Sequence, residues 1–184
     1  MYKPFFRKSG KHIVIINPIR LTPKFITLGN KILIHNNARI EGVSSYEGIK
    51  YQPFITIGDN VTIQQNIHLT CAGNISIGNN TAIASNVTIS DITHGYEDIN
   101  VPPEKQLLKI DPVVIGENCK LFNNVVILPG TKLGRHNIVG ANSVVRGVFP
   151  DYSVIAGAPA KIKKRYNTAT QGWEKTDDKG NFIK

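Results

Sequence analysis

"VVIGENCKLFNNVVILPGTKLGRHNIVGANSVV", residues 113–145, places an aliphatic residue at every sixth position: Ile115, Leu121, Ile127, Leu133, Val139 and Val145. On an α-helix a six-residue step turns through about 240°, so these side chains would scatter around the axis instead of forming a face. Helix is excluded. Six is a multiple of two, so in extended chain they all point the same way. The residues two before several of them (Val113, Cys119, Val125) are small or β-branched and point inward as well. Corner signals such as "GEN" and "GAN" separate the inward pairs, and their Gly and Asn tolerate left-handed backbone. The chain turns a corner every six residues.

The same phase extends outward from this stretch, through Leu28, Ile34 and Ile40, then Ile57, Ile63 and Leu69, then Ile77, Ile83 and Ile89, for fifteen positions in all. Short hairpins would break the phase at each turn, whereas a parallel solenoid stacks equivalent positions coil upon coil. Taken in threes, the positions make five coils of about 18 residues. The expected fold is all-β: a parallel β-helix of about five or more triangular coils over residues 24–165. Residues 1–23 form a lead-in and 166–184 a non-repeat tail, whose "DDKGN" suits a hairpin turn. The step lengthens to 17 after Ile40, to eight after Leu69 and to 26 after Ile89, each time after the third position of a coil. All three insertions should therefore leave from one edge of the prism and concentrate loops there.

Composition narrows the class. With 22 Lys and Arg against 13 Asp and Glu the formal charge is +9, which suits an anionic partner or simple solubility. The basic residues are dispersed apart from "KIKKR", and no aromatic stripe accompanies them, so a nucleic-acid-binding role lacks support. Cys71 and Cys119 cannot build a multi-bridge framework, and "IVII" is too short for a signal peptide or membrane span. A reduced, cytoplasmic protein is expected.

Five histidines remain to be weighed. His136 occupies a corner slot held elsewhere by Asn118, Asn124 and Asn142, a structural position. His35 takes a corner glycine's slot, while His68 and His12 read as surface residues. His94 differs: counted from Ile89 it falls in an outward slot, and the longest insertion, residues 95–112, begins beside it. A fixed, accessible imidazole under an overhanging loop suits a general base. The spacings between histidines, 23, 33, 26 and 42 residues, do not suit a three-histidine zinc site, and no metal is expected.

The segments "IGDNVTIQQN", "IGNNTAIASNVTIS", "IGENCKLFNNVVILPGTKLG", "VGANSVV" and "IAGAPAKIKKR" resemble the hexapeptide-repeat acyltransferases, which form left-handed parallel β-helices. Within that family, "AIASNVTISDITHG" and "GANSVVRGVFPDYSVIAGAPAKIKKRYN" look most like the sugar O-acetyltransferases of lipopolysaccharide and capsule biosynthesis. The resemblance covers about residues 24–167. It implies that acetyl-CoA donates an acetyl group to a sugar or glycan hydroxyl, with His94 as general base. Carried over residue by residue, it also implies an oxyanion donor at the Asn123 amide, a pantetheine arm along Ala141 with Arg146 close by, and Lys161 and Lys164 at the 3′-phosphate. Gln64 matches an acceptor-contacting position. Asp91 is either an orienter of the imidazole, a ligand for a sugar hydroxyl or a polar loop residue.

Relatives are homotrimers with sites built between two subunits and the residue 95–112 loop reaching across, and the resemblance leaves room for peripheral contact with membrane-linked glycan intermediates. Three positions depart from the family: Lys120 and Phe122 stand where many relatives have Trp and Gly, and Ile92 where close relatives often have a second histidine. An N-acetyltransferase of a nucleotide-linked amino sugar uses the same fold and base and stays open, although no βαβ pattern precedes residue 24. A non-catalytic binding protein is the other alternative. Trp173 is expected to pack against the last coil or a neighbouring subunit.

Overall fold

The computed structural model describes residues 5–183, and within them the six-residue step builds a prism of three sheets. The first face runs from Lys8–Ser9 through Ile26–Leu28, Phe54–Ile57, Asn74–Ile77, Val113–Ile115 and Lys132–Leu133 to Val148–Phe149. The second begins at Ile13–Ile15 and reaches Ser153–Gly157, and the third runs from Arg20–Leu21 to Val144–Val145. Strands along the prism pair in parallel and in phase. Ile63 is level with Ile34 and Ile83, and Leu69 with Ile40 and Ile89. The core is the column of period-six residues together with their inward neighbours, such as Ile55, Val61, Ile67 and Val87, all essentially without solvent contact.

Corners use Gly and Asn for different reasons. Asn60, Asn80 and Asn118 lie at φ near +57°, and His136 follows them at +55° in the equivalent corner slot. Gly116, by contrast, is needed for contact: a Cβ there would lie 2.4 Å from the Gly134 carbonyl oxygen of the next coil. At the second-to-third edge, Asn37, Asn66, Asn86, Asn124 and Asn142 pass amide hydrogen bonds of 2.9–3.1 Å up the prism. We call this the ladder edge.

The prism begins earlier than expected. Residues 1–23, read as a lead-in, contain a turn of their own, with Ser9 paired to Leu28, Ile15 to Ile34 and Leu21 to Ile40. A 3₁₀ turn at Pro23–Phe25 then stretches the step to Leu28 to seven, which hides this coil from a six-residue rule. At the other end Ala160–Asn167 folds back antiparallel on Ser153–Gly157, and Gly172–Lys175 adds a further strand, so the tail extends the second face. Its Trp173 packs on Tyr166 (centroids 5.8 Å apart) and on His136 of the prism (6.3 Å). The "DDKGN" turn closes between Asp177 and Asn181, where the backbone hydrogen bond is 2.9 Å.

Candidate active site

All three insertions leave the prism between the third and first faces, as their spacing requires. The first is a small hairpin, Ser45–Tyr46 with Ile49–Lys50. The second is only the Ala72–Gly73 step. The third, expected as a loop over 95–112, carries regular structure at its base: Ile92–His94 pairs antiparallel with Leu108–Ile110, and the irregular part spans 95–107. His94 therefore sits on a hairpin arm that has left the prism, and not on a prism strand.

Asp91 launches that hairpin and lies where the parity of Ile89 places it, pointing inward. It is fully buried. Its carboxyl oxygens accept from the Ala72 and Gly73 amides, both at 2.8 Å, and from the Cys71 thiol at 3.3 Å. Burial, with Asp91 beside it, pushes the Cys71 thiol far above its ordinary range. Asp91 therefore neither orients the imidazole nor meets an acceptor. Its job is to satisfy the two amides exposed by the Ala72–Gly73 step.

His94 is half-buried at one end of a cleft of about 330 Å³. Tyr46 and Val43 from the first insertion, Leu108 and Ile92 from the third, and Arg39, His68, Thr70 and Ser90 from the third face complete its lining. Tyr46 meets the imidazole edge-on, with centroids 5.2 Å apart, and its hydroxyl lies 3.2 Å from His94 Nδ1. That hydroxyl also donates to the carbonyl of Glu104 on the third insertion. At the far end, buried Glu41 pairs with Arg20 and Arg39, each at 2.6 Å, leaving one net positive charge. His68, exposed as expected of a surface residue, also lines this cleft, and its partial desolvation and the Arg39 charge lower its pKa from the ordinary value. Among the described residues, a larger groove of about 540 Å³ in the first coil, lined by Phe5, Pro18, Ile19 and Pro23 among others, contains no histidine.

The other expected site residues fall into two groups. Gln64, Asn123 and Ala141 stand on the ladder edge, where Phe122, Gly140 and Ala156 stack in one column. Lys161 is level with Ala156 on the returning strand and continues that line, and Lys164 follows on the second face. The Asn123 N–H has no partner among the described residues, as an oxyanion donor requires. Lys120 lies over the exposed Phe122 ring at 5.4 Å, so the two departures from the family form one contact beside that amide. Arg146 is on the insertion edge, exposed, on the same side as His94. The third face separates the two groups in a single chain. Among the described residues no cluster of His, Cys, Asp and Glu is arranged to hold a metal.

Residues 112–147 match the bacterial transferase hexapeptide family, six repeats. Over 146 residues, 73% of this chain and 74% of the relative, the sequence is 42% identical to WbbJ of Escherichia coli K12, named as a lipopolysaccharide-biosynthesis O-acetyl transferase. Among solved structures, AntD, an N-acyltransferase of Bacillus cereus in complex with coenzyme A and dTDP-4-amino-4,6-dideoxyglucose, superposes with a TM-score of 0.68 at 18% identity. That match covers 90% of this chain and 87% of AntD. A hexapeptide-repeat acetyltransferase of Vibrio cholerae complexed with acetyl coenzyme A superposes at 0.57 and 20% identity, over 90% and 74% of the two chains. At such identities these two structures speak for the fold.

Proposed function

The chain belongs to the bacterial hexapeptide-repeat acetyltransferases, whose prism is a left-handed parallel β-helix, and from that premise we propose the reaction and the residues that carry it. It is an acetyl-CoA-dependent O-acetyltransferase of sugar or glycan hydroxyls in surface-polysaccharide biosynthesis. The single observation behind this reading is 42% identity, across 73% of this chain and 74% of the relative, to a lipopolysaccharide-biosynthesis O-acetyl transferase. The cleft is in keeping with it: an imidazole stands among the hydroxyls of Tyr46, Thr70 and Ser90, surroundings suited to a polyol.

In this reading His94 takes the proton of the acceptor hydroxyl as its oxygen attacks the thioester carbonyl. The Asn123 N–H receives the developing oxyanion, in place of water. As the tetrahedral centre collapses, the C–S bond breaks and the imidazolium returns its proton to the departing thiolate. The products are an acetyl ester and CoA thiol, with no acyl-enzyme. Ala141 borders the path of the pantetheine arm, and Lys161, Lys164 and Arg146 offer positive charge to phosphate. Gln64 addresses the acceptor.

The base and the oxyanion donor sit on different edges of one prism, so a working site needs two copies placed insertion edge to ladder edge. A closed homotrimer supplies that arrangement. Both cysteines are buried free thiols, in keeping with a reducing compartment such as the cytoplasm. Among the described residues no helix is long and apolar enough to cross a membrane.

The deciding assay follows CoA thiol release from acetyl-CoA with free sugars and with undecaprenyl- and nucleotide-linked glycans, scoring ester against amide products. Ester formation on a hydroxyl acceptor is expected. Amide formation confined to amino sugars would replace this reading with N-acetylation.

A further inference from the structure

Tyr46 meets the His94 ring at hydrogen-bond distance, and its hydroxyl has one hydrogen to give. Two groups of Glu104 compete for it: the backbone carbonyl, which can only accept, and the carboxylate Oε2 at 3.2 Å. With the hydrogen committed to Glu104, the hydroxyl offers only lone pairs to His94 Nδ1, 3.2 Å away. A contact between two lone pairs at that distance would repel. Nδ1 must therefore carry a hydrogen and donate it.

We infer that Tyr46 is a positioning residue that holds His94 in the Nδ1–H tautomer and so presents Nε2, with its lone pair, as the atom that takes the acceptor's proton. The catalytic part of this inference rests on the reading of His94 as the base; the tautomer itself does not. The Tyr46 phenol is pushed above its ordinary range, by desolvation first and by Glu104 second, so it keeps the hydrogen that the relay needs. The relay joins two insertions that are far apart in sequence. Tyr46 comes from the hairpin after the second coil, and Glu104 from the 3₁₀ turn Pro103–Lys105 within the longest insertion. Their meeting at the imidazole gives both insertions a shared purpose: fixing which ring nitrogen faces the cleft.

The test uses the full-length protein labelled with ¹⁵N-histidine, with the His94 signals identified as those missing in His94→Ala. In the wild type, Nδ1 should be the protonated nitrogen. Tyr46→Phe keeps the edge-on ring and removes only the hydroxyl. It should redistribute His94 toward the Nε2–H form and lower kcat about ten- to a hundredfold, with the KM for acetyl-CoA unchanged. Glu104→Ala retains the accepting carbonyl and should leave the tautomer locked. A wild-type spectrum with Nε2 protonated would overturn the inference, as would a Tyr46→Phe protein with unchanged tautomer and rate. If instead His94→Ala kept its full rate, the base assignment would fall while the spectra still decided the tautomer.

Discussion

His94 fills no core volume, because it stands on a hairpin arm at the mouth of the cleft. His94→Ala should therefore leave the melting temperature and CoA affinity nearly unchanged while turnover falls by about 10² to 10⁴, the usual share of a positioned base. Steady-state CoA release beside a thermal melt checks both halves. Asp91 should behave in the opposite way. Asp91→Ala strands the Ala72 and Gly73 amides in the interior, at a cost of roughly 1–3 kcal/mol each, and urea denaturation should show the loss. If stability held while activity alone disappeared, Asp91 would belong to the chemistry after all. Its burial was legible: it lies two residues beyond inward Ile89, and parity places it inside. His94 was legible as the histidine at the end of a phased run. Tyr46 was not, because it reaches the imidazole through the folding of an insertion that carries no period, and the part of His68 and Arg39 in the cleft was not, because their outward slots show a site only once the insertions fold over that face.

The corners divide their labour between two residue types, and substitutions can separate the two. Gly116→Ala places a methyl 2.4 Å from a backbone oxygen that cannot move without parting two coils, so it should be the most damaging corner change. Asn124 lies at φ +60° and bonds Asn142 and Asn86 through its amide. Asn124→Ala should cost about 1–2 kcal/mol for holding alanine in left-handed backbone, with the lost amide bonds added. Asn124→Gly escapes the backbone penalty and should sit nearer the wild type. Urea midpoints in the order wild type, Asn124→Gly, Asn124→Ala, Gly116→Ala are expected, and a reversed order of the two Asn124 variants would refute the conformational account. The sequence marked these corners but assigned Gly and Asn a common role. Only coordinates separate a residue needed for its φ from one needed for its lack of a Cβ. The N-terminal coil escaped for a related reason: Ile15 and Leu21 keep the six-residue step, but Ser9 is not apolar and the 3₁₀ turn adds a residue before Leu28.

The proposed base and the proposed oxyanion donor lie on different edges of the prism, which predicts a site shared between copies. His94 projects from the insertion edge, Asn123 and Ala141 from the ladder edge, and the third face lies between them. If each working site takes its base from one copy and its oxyanion donor and pantetheine track from the next, two different defects can complement each other. His94→Ala removes the base. Ala141→Trp, at an exposed position, blocks the pantetheine track without touching the core. Each variant alone should be nearly inactive. In randomly mixed trimers made by co-expression, a site works when its base comes from an Ala141→Trp chain and its ladder edge from a His94→Ala chain. Each condition holds half the time, so activity should return to about a quarter of the wild-type level. A site contained in one chain would give no recovery, since every chain then carries one of the two defects. Light scattering of the same preparation fixes the copy number, and a monomer that still turned over would end the shared-site account.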